Sequence, residues 1–136
     1  YWKQPYHTSA LTGAQWVQEL IAGHPDCIYT ELGMMLHVFL LLIHELQVTC
    51  GLEPSHHLGV EEMVDIFLNM SVTGLSVHHV GECFQHSNET ISKYFVNILD
   101  MLASPAFYSK YVKLPTTTDP VPPFILNNPK FYPFVK

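Results

Sequence analysis

The apolar positions of this chain recur at intervals of three and four residues, the spacing that lines one side of an α-helix. Two such rows stand close together. Val77, Val80 and Phe84 form the first, with Ser76 placed to cap it; Ile91, Phe95, Ile98 and Leu102 form the second, with Ser87 placed to cap it. Only Gln85, His86 and Ser87 separate the two rows, which predicts a tight turn. Gly81 falls where two steeply crossing helices need a small residue. The stretch from Thr73 to Leu102 therefore predicts a helix-turn-helix. An ordinary helical hairpin inside a bundle has the same pattern, so the pattern alone does not separate the two.

The rest of the chain supplies the bundle. Tyr1 to His7 is an aromatic lead with Pro5, expected to be extended. Thr12 and Gln15 have capping-box spacing, which predicts a helix starting at Gly13 or Ala14, with Val17, Leu20 and Ile21 inward and a stop at Gly23-His24-Pro25. Asp26 or Thr30 is expected to open a long helix running to about Val48. Its apolar residues Leu32, Met35, Leu36, Phe39, Leu40, Ile43 and Leu46 lie nearly all round, which predicts a buried helix at the centre of the bundle that supplies most of the core. Cys50-Gly51 ends it. A polar loop follows, with Pro54 and the pair His56-His57. Val60 to Val72 predicts the next helix, with Val60, Met63, Val64 and Phe67 inward. Glu61, Glu62 and Asp65 are expected on its solvated face, near the end where the helix dipole favours negative charge. Ser104-Pro105 starts one more short helix through Tyr111.

Beyond that point the pattern changes. Seven of the ten prolines lie at or after position 105. Thr116 to Pro123 predicts an extended linker. Phe124, Ile125, Phe131, Tyr132 and Phe134 are apolar residues spaced among prolines, as in a segment that packs on something the chain does not contain. The expected fold class is all-α: a helical bundle over residues 1–114, with the helix-turn-helix at about 60–103, and a Pro-rich extended tail over 115–136.

Composition narrows the functional classes. A hydrophobic fraction of 48% with 13% charged residues excludes a disordered chain. The first residue is Tyr1 rather than Met, which leads to the expectation of a fragment, and no signal peptide is legible. The greasiest run, Leu36 to Ile43, is shorter than the roughly 20 apolar residues a bilayer span needs, so no membrane association is expected. Cys27, Cys50 and Cys83 are odd in number and widely spaced. They make no disulfide framework and suit a reducing compartment, nuclear or cytoplasmic. The net charge is −6, from 6 basic and 12 acidic residues, and every basic residue is lysine. That balance is unfavourable for a DNA binder, which draws affinity from phosphate contacts. Nine histidines replace the missing cations only in part.

Chemistry-bearing groups are few. His79 and Cys83 are one helical turn apart, and with His78, Cys50, His56 and His57 a zinc site can be drawn. The tight paired ligand spacing of a structural zinc site is missing, so surface histidines and a half-buried cysteine are expected, with no metal and no cofactor. There is no Ser-His-Asp arrangement and no Gly-rich phosphate loop, so no catalytic residue is assigned. Asn69-Met70-Ser71 and Asn88-Glu89-Thr90 match the glycosylation acceptor pattern, but both fall in predicted helix. On the second helix of the pair, Asn88, Glu89, Ser92, Lys93, Val96 and Asn97 face outward. Asparagine pairs with adenine in the major groove, and lysine reaches guanine or a phosphate. The candidate DNA-binding set is therefore Asn88, Ser92, Lys93 and Asn97, flanked by His78, His79, Lys110 and Lys113. A merely solvated helix face would look much the same.

These residues carry a resemblance. The run Gly74-Leu75-Ser76, Val80 to Ser87 and Thr90-Ile91-Ser92-Lys93-Tyr94-Phe95 resembles the helix-turn-helix region of Harbinger (PIF) transposases, in particular the plant and fungal transposase-derived nuclease proteins. Glu61-Glu62-Met63 with Ile66-Phe67-Leu68, and the later Leu126 to Phe134, fit the same family. The resemblance covers essentially the whole chain, through the order and spacing of motifs that are individually soft. It implies an N-terminal helical region preceding a ribonuclease-H-like nuclease domain, whose three acidic residues bind two metal ions. The chain stops at Lys136, before the first of those acidic residues, so the resemblance carries over no catalytic residue. Any divalent metal would belong to the missing domain.

The resemblance also implies that positions around the helix-turn-helix are commonly basic. The corresponding stretch shows His78, His79 and Cys83, and earlier Cys27 and Tyr29; a single C-to-T change on one strand or the other turns an arginine codon into a cysteine or histidine codon, which gives the expectation of a decayed copy. The leading expectation is a non-catalytic DNA-binding domain of a Harbinger-type transposase, with DNA as partner. The alternative is a helical interaction module that docks its own or a partner's nuclease domain or a DNA-binding partner. A homo-oligomer is compatible with both.

Overall fold

The computed structural model describes residues 7–131, which form eight helices and no strand among the described residues. Helix α1 is Gly13–Ala22, α2 Pro25–Leu32, α3 Leu36–Cys50, α4 Val60–Thr73, α5 Val77–Phe84, α6 Asn88–Ala103, α7 Pro105–Tyr111 and α8 Pro123–Leu126. The all-α class follows from the three-and-four spacing, and most starts follow from the caps. Thr12 accepts from the Gln15 backbone while the Gln15 side chain accepts from the Thr12 backbone, a complete capping box. Ser76, Ser87 and Ser104 cap α5, α6 and α7 by accepting from the backbone N–H three residues on.

The long helix expected from Asp26 or Thr30 to about Val48 is two helices. His24 caps the first, its Nδ1 accepting from the Asp26 backbone at 3.2 Å, and Pro25 occupies the first turn. Thr30 is interior, its hydroxyl donating to the Asp26 carbonyl. Gly33 then takes a left-handed conformation, φ 69°, that stops α2 and redirects the chain by 54° into α3. A side chain rarely adopts that φ, so the glycine makes the break possible.

Nor is α3 the centre. It buries Phe39, Ile43 and Leu46 but leaves Leu41 58% and Val48 69% exposed. The central position belongs to α4, which packs against α1, α2, α3, α5 and α6. Val60, Met63, Val64, Ile66 and Leu68 are buried along it. Enclosure on so many sides also overturns the solvated acidic face expected there: Glu62 and Asp65 are buried, with Asn69, and Glu61 is half-buried. Burying each large apolar side chain contributes about 1.5–3 kcal/mol, and the core is one cluster running from Val17 to Phe107.

After α7 the chain turns at Thr116 to Asp119, where the Asp119 carboxylate accepts from the Thr116 backbone and hydroxyl. The tail is not wholly extended, since Pro123–Leu126 forms the single turn of α8. Its Phe124 is 75% exposed, and Leu126 and Phe131 are also exposed. Tyr132 and Phe134, like the lead from Tyr1 to Tyr6, lie outside the described residues. No single helix is long and apolar enough to cross a membrane; α2 and α3 pass such a test only as a bent pair.

Candidate nucleic-acid interface

Helices α5 and α6 meet through the turn Gln85-His86-Ser87. The Gln85 backbone N–H donates to the Gly81 carbonyl, and so does that of His86 at 3.0 Å. Gln85 has φ 59°, the one non-glycine in the left-handed region among the described residues. Its side chain holds that strained conformation in place. The amide nitrogen donates to the Glu82 carbonyl, and the amide oxygen accepts from the Ser9 backbone at 2.9 Å, strapping the N-terminal segment to the turn. Gly81 is buried at the crossing; a Cβ there would sit 2.8 Å from the His86 carbonyl oxygen. The expected small residue at a steep crossing is thus accounted for by backbone contact.

The turn is also pinned from beneath. His86 Nε2 donates to Glu62 Oε1 at 2.8 Å, with Glu62 4% exposed. Beside it, Asp65 is fully buried and neither carboxylate oxygen has a hydrogen-bond partner. Burial, then the charges of Glu31 on α2 and Glu62, push the Asp65 carboxyl up to about 7. Glu31 itself accepts from the Asn69 side chain. Below about pH 7 such a group keeps its proton, which avoids the cost of a naked buried charge.

On α6 the inward row is Ile91, Tyr94 and Ile98, with Phe95 and Leu102 half-buried. The outward residues Asn88, Glu89, Ser92, Lys93, Val96 and Asn97 are all exposed. Lys93 Nζ lies 5.4 Å from the centre of the Tyr94 ring. His78 borders a depression shared with His7, Ser87, Asn88 and Glu89, so it stands beside the start of α6. His79 Nδ1 is 2.7 Å from the Ser76 hydroxyl, inside the capping turn of α5. Lys110 is not with this group: on α7, its Nζ donates to Glu45 Oε2 of α3 at 2.7 Å. Lys113 is exposed on the segment after α7.

Cys83, expected half-buried, is exposed as a residue. Partial burial and the charges of Glu31 and Glu82 hold its thiol above the usual value. No group of His, Cys, Asp and Glu able to hold a metal occurs among the described residues.

Sequence reasoning missed a second hollow of about 340 Å³, lined by His57, Leu58, His86, Thr90, Lys93 and Tyr94. The His56-His57 pair was visible in the sequence, but nothing in its spacing connects the loop before α4 to the start of α6.

A family model described as a domain of unknown function (DUF8040) matches residues 8–104. No curated protein and no solved structure matches the chain.

Proposed function

The chain belongs to the family described as a domain of unknown function (DUF8040); from the geometry of α6 we propose that it is a non-catalytic DNA-binding unit that reads a major groove through that helix. The Harbinger-type likeness noted in the sequence points the same way. One observation carries the reading: α6 offers an outward arc of Asn88, Ser92, Lys93 and Asn97, all exposed, while its inner row holds it against α4 and α5. Asparagine and lysine on one helix face supply the donors and acceptors that base edges match, and the preceding helix with its three-residue turn supports such a helix. Selection of bound duplexes from a random-sequence library, at low salt, tests it. A recurrent sequence is expected. The triple variant Ser92→Ala, Lys93→Ala, Asn97→Ala should lose it, because each good base contact discriminates by about 1–3 kcal/mol. Absence of enrichment with the unaltered chain would reject the reading.

A second reading, a docking module, is favoured by a different feature. Val38, Leu41, Leu42, Phe107 and Tyr111 line an apolar groove between α3 and α7, with the paired Glu45 at its edge. Exposed apolar surface of this kind marks interaction sites, and this reading gains if no duplex is selected.

A further inference from the structure

The exposed arc of α6 has two flanks. At about 100° per residue, Asn88 and Lys93 are separated by about 140° around the helix axis. On the Asn88 side lies the depression shared by His7, His78, Ser87, Asn88 and Glu89. On the Lys93 side lies the hollow lined by His57, Leu58, His86, Thr90, Lys93 and Tyr94. The two differ in charge. The first contains the Glu89 carboxylate, which opposes an anion. The second has no carboxylate among its lining residues and gathers two imidazoles, one ammonium, the Thr90 hydroxyl and the Tyr94 phenol.

Each wall of the second hollow is fixed by contacts already in place. Buried Leu58 and Tyr94 form apolar parts of its lining. The Tyr94 ring holds the Lys93 ammonium at 5.4 Å. The His57 ring stands edge-on to His56, with centroids 4.6 Å apart. Thr90 is kept by its hydroxyl contact with Ser87 at 3.0 Å. His86 is oriented by Glu62, whose buried carboxylate takes up Nε2. The Lys93 ammonium stands on this lining, and His57 and His86 each keep one ring nitrogen outside their contacts with His56 and Glu62; an ammonium and imidazole N–H groups are donors that match the acceptor oxygens of a phosphate group.

We propose that the hollow lined by His57, His86, Thr90 and Lys93 is a phosphate-binding site, its ligand being a backbone phosphate of the DNA whose groove α6 enters. The site deepens the DNA-binding reading and rests on it for that source; the same chemistry would accept a free phosphate. It brings the loop before α4 into the interface. It also locates cationic contact in a chain whose net charge is −6.

The test uses the intact chain and the single variant His57→Gln, which alters an exposed loop residue outside the α6 arc. At about pH 6, where imidazoles carry more of their charge, two probes are applied: inorganic phosphate, followed by amide and imidazole NMR shifts, and a duplex from the library selection, followed by fluorescence anisotropy across a salt series. Phosphate is expected to shift His57, His86, Thr90 and Lys93 together. The variant should bind the duplex less tightly, with a log–log salt slope shallower by up to about 0.9 and its sequence preference retained. A selected duplex bound equally well, with the same slope, by His57→Gln overturns the phosphate site and leaves the DNA reading standing. Saturable phosphate shifts in the hollow with no duplex bound support the site with free phosphate as its ligand, and the DNA reading falls. Shifts scattered over the surface, with no effect of the variant, overturn the site.

Discussion

Asp65 shows how one side chain ties burial to solution behaviour. Its carboxyl is enclosed by the bundle, finds no donor, and faces the carboxylates of Glu31 and Glu62. Nearby donors are taken: Asn69 serves Glu31 and His86 serves Glu62. The folded-state pKa of about 7 lies above the ordinary value of 3.8. The folded state therefore holds a proton that the unfolded chain gives up. Stability from this group is intact below about pH 4 and falls as pH rises to about 7, by at most about 4 kcal/mol. Asp65→Asn keeps the shape and removes the titration. It should flatten this part of the stability–pH curve and make the protein more stable than the unaltered chain above pH 7, by less than the full amount because a carboxamide there is also short of partners. Urea unfolding at several pH values checks this; parallel curves for the two proteins would show that Asp65 is not the source.

At the scale of elements, the α5–α6 crossing makes the sharpest demand. The Gly81 position has room for hydrogen but not for a methyl group, with the His86 carbonyl 2.8 Å from where a Cβ would sit. Gly81→Val should cost about 1–3 kcal/mol through overpacking and splay the two helices, seen as a lower urea midpoint. An unchanged midpoint would mean that the turn gives way at no cost. This element was legible in the sequence because three signals agreed: serine caps, apolar rows, and a glycine at the crossing. The starts of α1 and α7 were legible for the same reason, through Thr12-Gln15 and Ser104-Pro105. The break at Gly33 was not, because apolar residues continue across it and no proline marks it. The role of α3 was misjudged for a physical reason. Apolar residues all round a helix show that no face is built for water, but a helix at the centre and a helix with an uncovered face both satisfy that. Leu41 and Val48 belong to the second kind. The carboxylates Glu61, Glu62 and Asp65 differ in the opposite sense, since carboxylates suggest solvent and only packing from five neighbouring helices buries Glu62 and Asp65 and half-buries Glu61. The outward arc of α6 was legible from periodicity; the hollow beside it joins segments too distant in sequence for periodicity to relate.

For the molecule as a whole, the electrostatic balance decides how the proposed DNA binding would respond to change. A net charge of −6 without arginine weakens non-specific attraction to phosphate, so where a cation stands matters more than how many there are. His78 and Cys83 both lie on α5 and both are exposed, yet their surroundings differ. His78 borders the depression at the start of α6, beside Ser87 and Asn88. The Cys83 thiol instead feels the charges of Glu31 and Glu82. An arginine at each site should therefore behave differently. His78→Arg reaches toward the flank of the proposed DNA face, although Glu89 competes for it. It should tighten duplex binding at low salt and steepen the log–log salt slope by up to about 0.9, the value for one added phosphate contact. Cys83→Arg has two carboxylates at hand and should pair with them, leaving the slope within error of the unaltered chain while adding the same formal charge. Anisotropy titrations of the two single variants over a salt series make the comparison, with identical net charge as the built-in control. Equal steepening by both would mean that the overall field governs binding and α5 has no preferred side toward DNA. No steepening by either would remove His78 from the interface and weaken the case that this face meets a phosphate backbone.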